Sequence, residues 1–145
     1  MDVNSQPFSY NLDSNNSKVA AYVALVKRLK ARGVKITQVG SQAHLISGQT
    51  PSFSSMVSAL NALVATNVDV AITELDIRIQ LPTTSAKLAQ QKKDYNTAIR
   101  ACMAVPRCVG VTIAGYSDKY SWVPNTFSGY VRLRPSMLQV ELTTL

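Results

Sequence analysis

Three times between Ser17 and Asp118 a helical periodicity is followed by a short run rich in β-branched residues, and this alternation limits the chain to few architectures. Val19, Tyr22, Val23, Val26 and Leu29 form the first apolar helix face, with Ser17 or a neighbouring Asn as N-cap and Gly33 as the C-terminal stop. The strand VKITQVGSQAHL follows, ending near Leu45. Phe53, Met56, Leu60 and Leu63 mark a second helix, leading into NVDVAITELDI. Leu88, Tyr95, Ile99 and Cys102 mark a third, leading into CVGVTIAGYSD. Strands and helices in this order build βα units on a parallel sheet, whose strands are buried on both faces. From Ser121 to Leu145 the pattern lapses, and no helix is expected there.

A chain of 145 residues with 46% hydrophobic residues suits one globular domain. Its net charge of +7 would matter for a polyanionic partner if it were clustered. Lys18, Lys27, Arg28, Lys30 and Arg32 instead read as the solvated face of the first helix, so no nucleic-acid partner is expected. No stretch approaches the roughly 20 apolar residues of a membrane span. The polar N-terminus MDVNSQPFSYNLDSNN does not read as a signal peptide.

Strand alternation puts Gln42 and His44 on the face of Gly40, and Glu74 and Asp76 on the face of Val70 and Ile72. Both polar pairs come at the C-terminal ends of their strands, where parallel α/β proteins place their sites. A buried carboxylate needs a partner to stay charged, and His44, the only histidine, is available on the adjoining strand. Each residue has an ordinary reading: His44 as a structural residue, Glu74 and Asp76 as strand-end acids pairing with a loop Lys or Arg. Their joint placement favours a site. One histidine and two cysteines do not make a zinc site of the usual spacing, and there is no Gly-rich phosphate loop or Gly-x-Ser-x-Gly elbow. Carboxylate chemistry remains. Cys102 and Cys108, separated by MAVPR, would close a small disulfide loop in an oxidising compartment or stand as two free buried thiols, and spacing leaves both open.

The segments VGSQAHL, AITELDI and GVTIAGYSDKYSW resemble, in order and spacing, the last three strand segments of the glycoside hydrolase family 10 endo-1,4-β-xylanases, which are TIM barrels. YNLDS resembles the end of that family's fifth strand, and ACMAVPRCVGVT the disulfide-bearing segment of its fungal members. The resemblance implies a partial (β/α)8 barrel of about the last three to four βα units. Residues 1–145 would be a single incomplete catalytic domain, with 1–9 as an atypical leader and 131–145 as an atypical tail.

It further implies a retaining glycosidase acting on xylan or xylo-oligosaccharides without cofactor or metal, in a secreted family. Glu74 would be the nucleophile, His44 its hydrogen-bonding partner and Asp76 the acid that orients the imidazole. Gln42 and His44 would contact the sugar, Trp122 would close over it, and Cys102 and Cys108 would be bonded. Without the family, a lone Trp beside a Pro reads as packing. The family's acid/base glutamate follows an Asn on the fourth strand, and no Asn-Glu dipeptide occurs in this sequence, so a missing N-terminal half-barrel is the implied partner. Ala114-Gly115 replaces the family's Trp-Gly, and the ending VRLRPSMLQVELTTL is not the family's. The alternatives are a catalytically inactive xylan-binding remnant and a truncated gene product.

Overall fold

The computed structural model describes residues 16–115 and 118–132. The YNLDS segment, residues 1–9 and most of the tail lie outside them.

Helix α1 (Asn16–Ala31) buries Val19 and Val26 and leaves Lys18, Lys27 and Arg28 exposed, as expected of a solvated face, and Arg32 is exposed just past its end. Lys30 departs from that reading. Its ammonium donates to the carbonyls of Thr66 (2.9 Å) and Asn67 (2.6 Å), just past the end of the next helix. Gly33, at φ 79°, ends α1 as expected. Gly33 N–H donates to Lys30 O and Val34 N–H to Leu29 O, the paired bonds of a Schellman turn.

The expected single strand is two, β1 (Gln38–Ser41) and β2 (His44–Ile46). Ala43 separates them at φ 59°, in the left-handed region that L residues seldom adopt. Helix α2 (Phe53–Val64) is capped by Ser52, whose hydroxyl accepts from Ser55 N–H, and it buries Met56, Leu60 and Leu63. Phe53, expected on that apolar face, is instead 43% exposed.

The central strand β3 (Asp69–Gln80) runs farther than its apolar run suggested. It pairs in parallel with β1 and β2 in succession and with β4 (Cys108–Ile113). Helix α3 (Ser85–Met103) buries Tyr95, Ala98, Ala101 and Cys102 against the sheet. Its buried polar residues, invisible to apolar periodicity, serve the backbone: Gln91 Nε2 donates to Ile77 O, and Ile77 N–H donates to the Tyr95 hydroxyl. Asp94 accepts from Gly48 N–H at 2.8 Å, tying the loop after β2 to α3. Leu60, Leu63, Ile72, Leu75 and Ile77 are fully buried between the sheet and these helices.

Cys102 and Cys108 form a disulfide linking the end of α3 to the start of β4. Closing so short a loop stabilises by about 2 kcal/mol on the chain-entropy estimate. Urea unfolding with and without reductant is expected to show a loss of about that size.

β4 pairs only with β3 among the described residues, and Val109 on it is 57% exposed. Beyond β4 come a 3-10 turn (Asp118–Tyr120), a short helix α4 (Val123–Thr126) and β5 (Tyr130–Val131), which pairs antiparallel with the end of β3. The expectation of no helix after Ser121 is thus corrected. One turn forms where Pro124 fits the first positions of a helix.

Candidate active site

Strict alternation along β3 would put Glu74 and Asp76 on one face, but the sheet register breaks there. Ile72 and Asp76 face Ser41 and His44, four residues against three. On the other side Ile72 and Leu75 face Val111 and Ile113, three against two. β3 therefore carries one extra residue between Ile72 and Leu75, a bulge that re-aims the side chains around Glu74. Thr73 Oγ1 donates to Ser41 O at 3.1 Å, fixing the bulge to the end of β1.

The outcome is a graded exposure. Asp76 is 1% exposed, His44 18% and Glu74 35%. His44 sits between the two acids, with Nδ1 3.0 Å from Asp76 Oδ2 and Nε2 3.3 Å from Glu74 Oε2. Ala43 makes this possible: its carbonyl accepts from Asp76 N–H at 3.3 Å, and the left-handed turn then starts β2 with His44 opposite Asp76. The Asp76 carboxylate raises the imidazole pKa above its ordinary value, against the opposing effect of burial, and Glu74 adds to the rise.

Trp122 joins from far along the chain. Its indole N–H donates to Asp76 Oδ2 at 2.7 Å, and its ring meets His44 edge-on with centroids 4.9 Å apart. Phe127 lies edge-on to Trp122 at 5.5 Å, and the Arg78 guanidinium stands 3.9 Å above the Phe127 ring. The sequence reading passed over Arg78 and Phe127. The signal was there for Arg78, which continues the alternate row begun by Glu74 and Asp76.

Gln42 is half-buried in the break between β1 and β2, two residues before His44. Ala114 is half-buried just beyond β4, and its N–H donates to Leu75 O at 3.0 Å. Gly115, at φ 84°, passes close to Arg132, whose Nη2 donates to Gly115 O at 2.8 Å; a Cβ there would lie 2.8 Å from Nη1. Arg132 is 1% exposed and was also not anticipated. No group of three or more His, Cys, Asp or Glu residues suited to a metal ion occurs among the described residues.

Chemically the cluster consists of one solvent-accessible carboxylate, an imidazole that holds it, and a buried carboxylate that holds the imidazole. The sequence model of glycosyl hydrolase family 10 matches residues 8–139. The chain belongs to glycosyl hydrolase family 10. It is 52% identical over 120 residues to an endo-1,4-beta-xylanase A of Phanerodontia chrysosporium, covering 83% of this chain and 29% of the relative. An endo-1,4-beta-xylanase of Agaricus bisporus is 49% identical over 120 residues, covering 83% and 35%. The crystal structure of a family 10 xylanase from Bispora sp. MEY-1 with xylobiose superposes with a TM-score of 0.82 at 40% identity, covering 86% of this chain and 38% of that one.

The family 10 fold here is part of a (β/α)8 barrel, as the strand segments implied. The chain spans about a third of the length of these relatives. Among the described residues no helix is long and apolar enough to cross a membrane.

Proposed function

We propose that this chain carries the nucleophile side of a retaining endo-1,4-β-xylanase site. The observation that carries it is the Glu74–His44–Asp76 arrangement, in which the exposed acid alone is free to meet a substrate. Glu74 would attack the anomeric carbon of a xylose unit within xylan, giving a glycosyl-enzyme that water then hydrolyses. Asp76 and His44 act as positioning residues, fixing the attacking carboxylate. Trp122 has two duties, holding Asp76 by its N–H and offering its 37% exposed ring to the bound sugar. Gln42 contacts the same sugar.

A retaining glycosidase needs a second carboxyl to protonate the leaving oxygen and then activate water. No Asn-Glu dipeptide is present to supply it in the family's manner, so the acid/base group comes from a complementary N-terminal portion of the barrel. The disulfide suits an oxidising, extracellular setting.

A mechanism-based fluoro-xylobioside, incubated with the chain joined to the N-terminal half of a family 10 xylanase, should label Glu74, read by peptide mass spectrometry. A folded barrel without label at Glu74 would overturn the assignment.

A second reading, a xylan-binding remnant without turnover, is favoured by Ala114 where the family has a Trp beside the sugar site. Calorimetric titration with xylohexaose and a reducing-sugar assay on the 145-residue chain separate the two. Binding without turnover supports the remnant, and robust turnover removes it.

A further inference from the structure

A groove of about 530 Å³ lies along the outward side of α3, with Phe53 at the start of α2 as its one lining residue from another element, and no residue of the Glu74 cluster lines it. Lys92, Lys93, Asn96, Thr97 and Arg100 form its α3 wall, and Phe53 stands at the start of α2. The α3 residues fall at helical spacing, so they make one stripe, opposite the face that buries Tyr95, Ala98 and Cys102. From Lys92 to Arg100 the stripe is about 12 Å long.

The charged face of α1 likewise has no Asp or Glu and no ion pair at Lys27, Arg28 or Arg32 among the described residues, but the groove beside it has no aromatic lining; the α3 stripe combines three properties. No Asp or Glu lines the groove, and Asp94, the one acid of α3, is buried on the other face and bound to Gly48 N–H and Gln90. Lys92, Lys93 and Arg100 are all exposed, and no ion pair engages them among the described residues. Phe53 gives up the burial that its helical position offered and exposes its ring beside the cations. An aromatic face suits the apolar face of a pyranose ring, and cations suit carboxylates.

We propose that this groove is a secondary binding site for a carboxylate-bearing polysaccharide, one carrying uronic acid units, separate from the Glu74 cleft. The choice of a polysaccharide over other polyanions rests on the xylanase reading above. Lys92, Lys93 and Arg100 pair with the uronates while Phe53 stacks on a neighbouring sugar. The groove would hold the protein on an acidic polymer while the cleft engages the neutral backbone.

Affinity electrophoresis of the 145-residue chain in gels containing glucuronoxylan, uronate-free arabinoxylan or single-stranded DNA tests this. Glucuronoxylan should retard the chain most, and added salt should weaken the effect. The triple substitution Lys92→Gln, Lys93→Gln, Arg100→Gln should weaken glucuronoxylan binding about tenfold. A control of equal charge change on α1 and the turn that follows it, Lys27→Gln, Arg28→Gln, Arg32→Gln, should weaken it no more than about twofold. Phe53→Ala, at an exposed site that preserves the fold, should also lower the affinity.

Equal losses in the two triple variants would reduce the effect to net charge and overturn the site, as would tighter binding to DNA or no retardation by glucuronoxylan. Labelling of Glu74 is read separately. Label without glucuronoxylan binding rejects this site alone, whereas binding lost with the α3 triple, but no label, supports it and rejects the catalytic reading.

Discussion

Glu74→Gln is expected to lower xylan hydrolysis by about 10⁴-fold or more in the barrel completed by an N-terminal family 10 half, and to abolish fluoro-xylobioside labelling. The amide keeps the shape of the carboxyl and can still accept from His44, so folding should change little. Its oxygen is no nucleophile, and no glycosyl-enzyme can form. At a position 35% exposed, the substitution should move stability by no more than about 0.5 kcal/mol. Reducing-sugar release and urea unfolding of the same preparation check both statements. Activity within about tenfold of the parent would show that another group attacks the sugar.

Asp76→Ala is expected to have the largest effect on stability, about 3 kcal/mol, because it leaves the Trp122 N–H and the His44 imidazole facing a buried space without their common acceptor. The imidazole provides a second readout that plain destabilisation would not move. His44 is the only histidine in the chain, so its ring-proton resonances titrate without overlap. In the parent the midpoint should lie above the ordinary value of about 6.5, because Asp76 and Glu74 both favour the imidazolium. In the milder Asp76→Asn variant, which keeps an acceptor for Trp122, it should fall toward the ordinary value.

The sign of the linkage follows from that rise. A folded pKa above the unfolded one contributes stability that is complete below about pH 6.5 and is lost as the pH rises through the raised folded value. The imidazolium offers an N–H to each carboxylate, whereas the neutral ring has one N–H for two acids. Above the His44 pKa one carboxylate loses its donor, so Glu74 should react with the fluoro-xylobioside less uniformly oriented and more slowly. A labelling rate that is flat across the measured His44 titration would separate His44 from the positioning of Glu74.

Much of this molecule is legible locally. The apolar spacing of Met56, Leu60 and Leu63 follows from a period of 3.6 residues, and the stop at Gly33 from the freedom of glycine at positive φ. The strand-end placing expected of the polar residues is corrected: His44 opens β2, and Glu74 and Asp76 lie inside β3, which continues to Gln80. The match of VGSQAHL and AITELDI to family 10 then supplied the sugar chemistry that no periodicity contains. Gln91 and Asp94 were missed because their partners, Ile77 O and Gly48 N–H, lie on other elements. Phe53 was misjudged because a helix period identifies an apolar position without saying whether another element covers it.

The sequence by itself determined that strands and helices alternate, and that an imidazole and two carboxylates fall on adjoining strands. Only the tertiary structure decided which carboxylate is buried. Strict alternation treats Glu74 and Asp76 as equals, but the extra residue of β3 and the left-handed Ala43 offset the strands so that Asp76 turns inward to His44 and Trp122, 46 residues away, while Glu74 stays open to solvent. The physical reason is one of range. Side-chain alternation is set by the two peptide bonds on either side of a residue, whereas the register that breaks it is set by hydrogen bonds to strands that the local sequence does not specify.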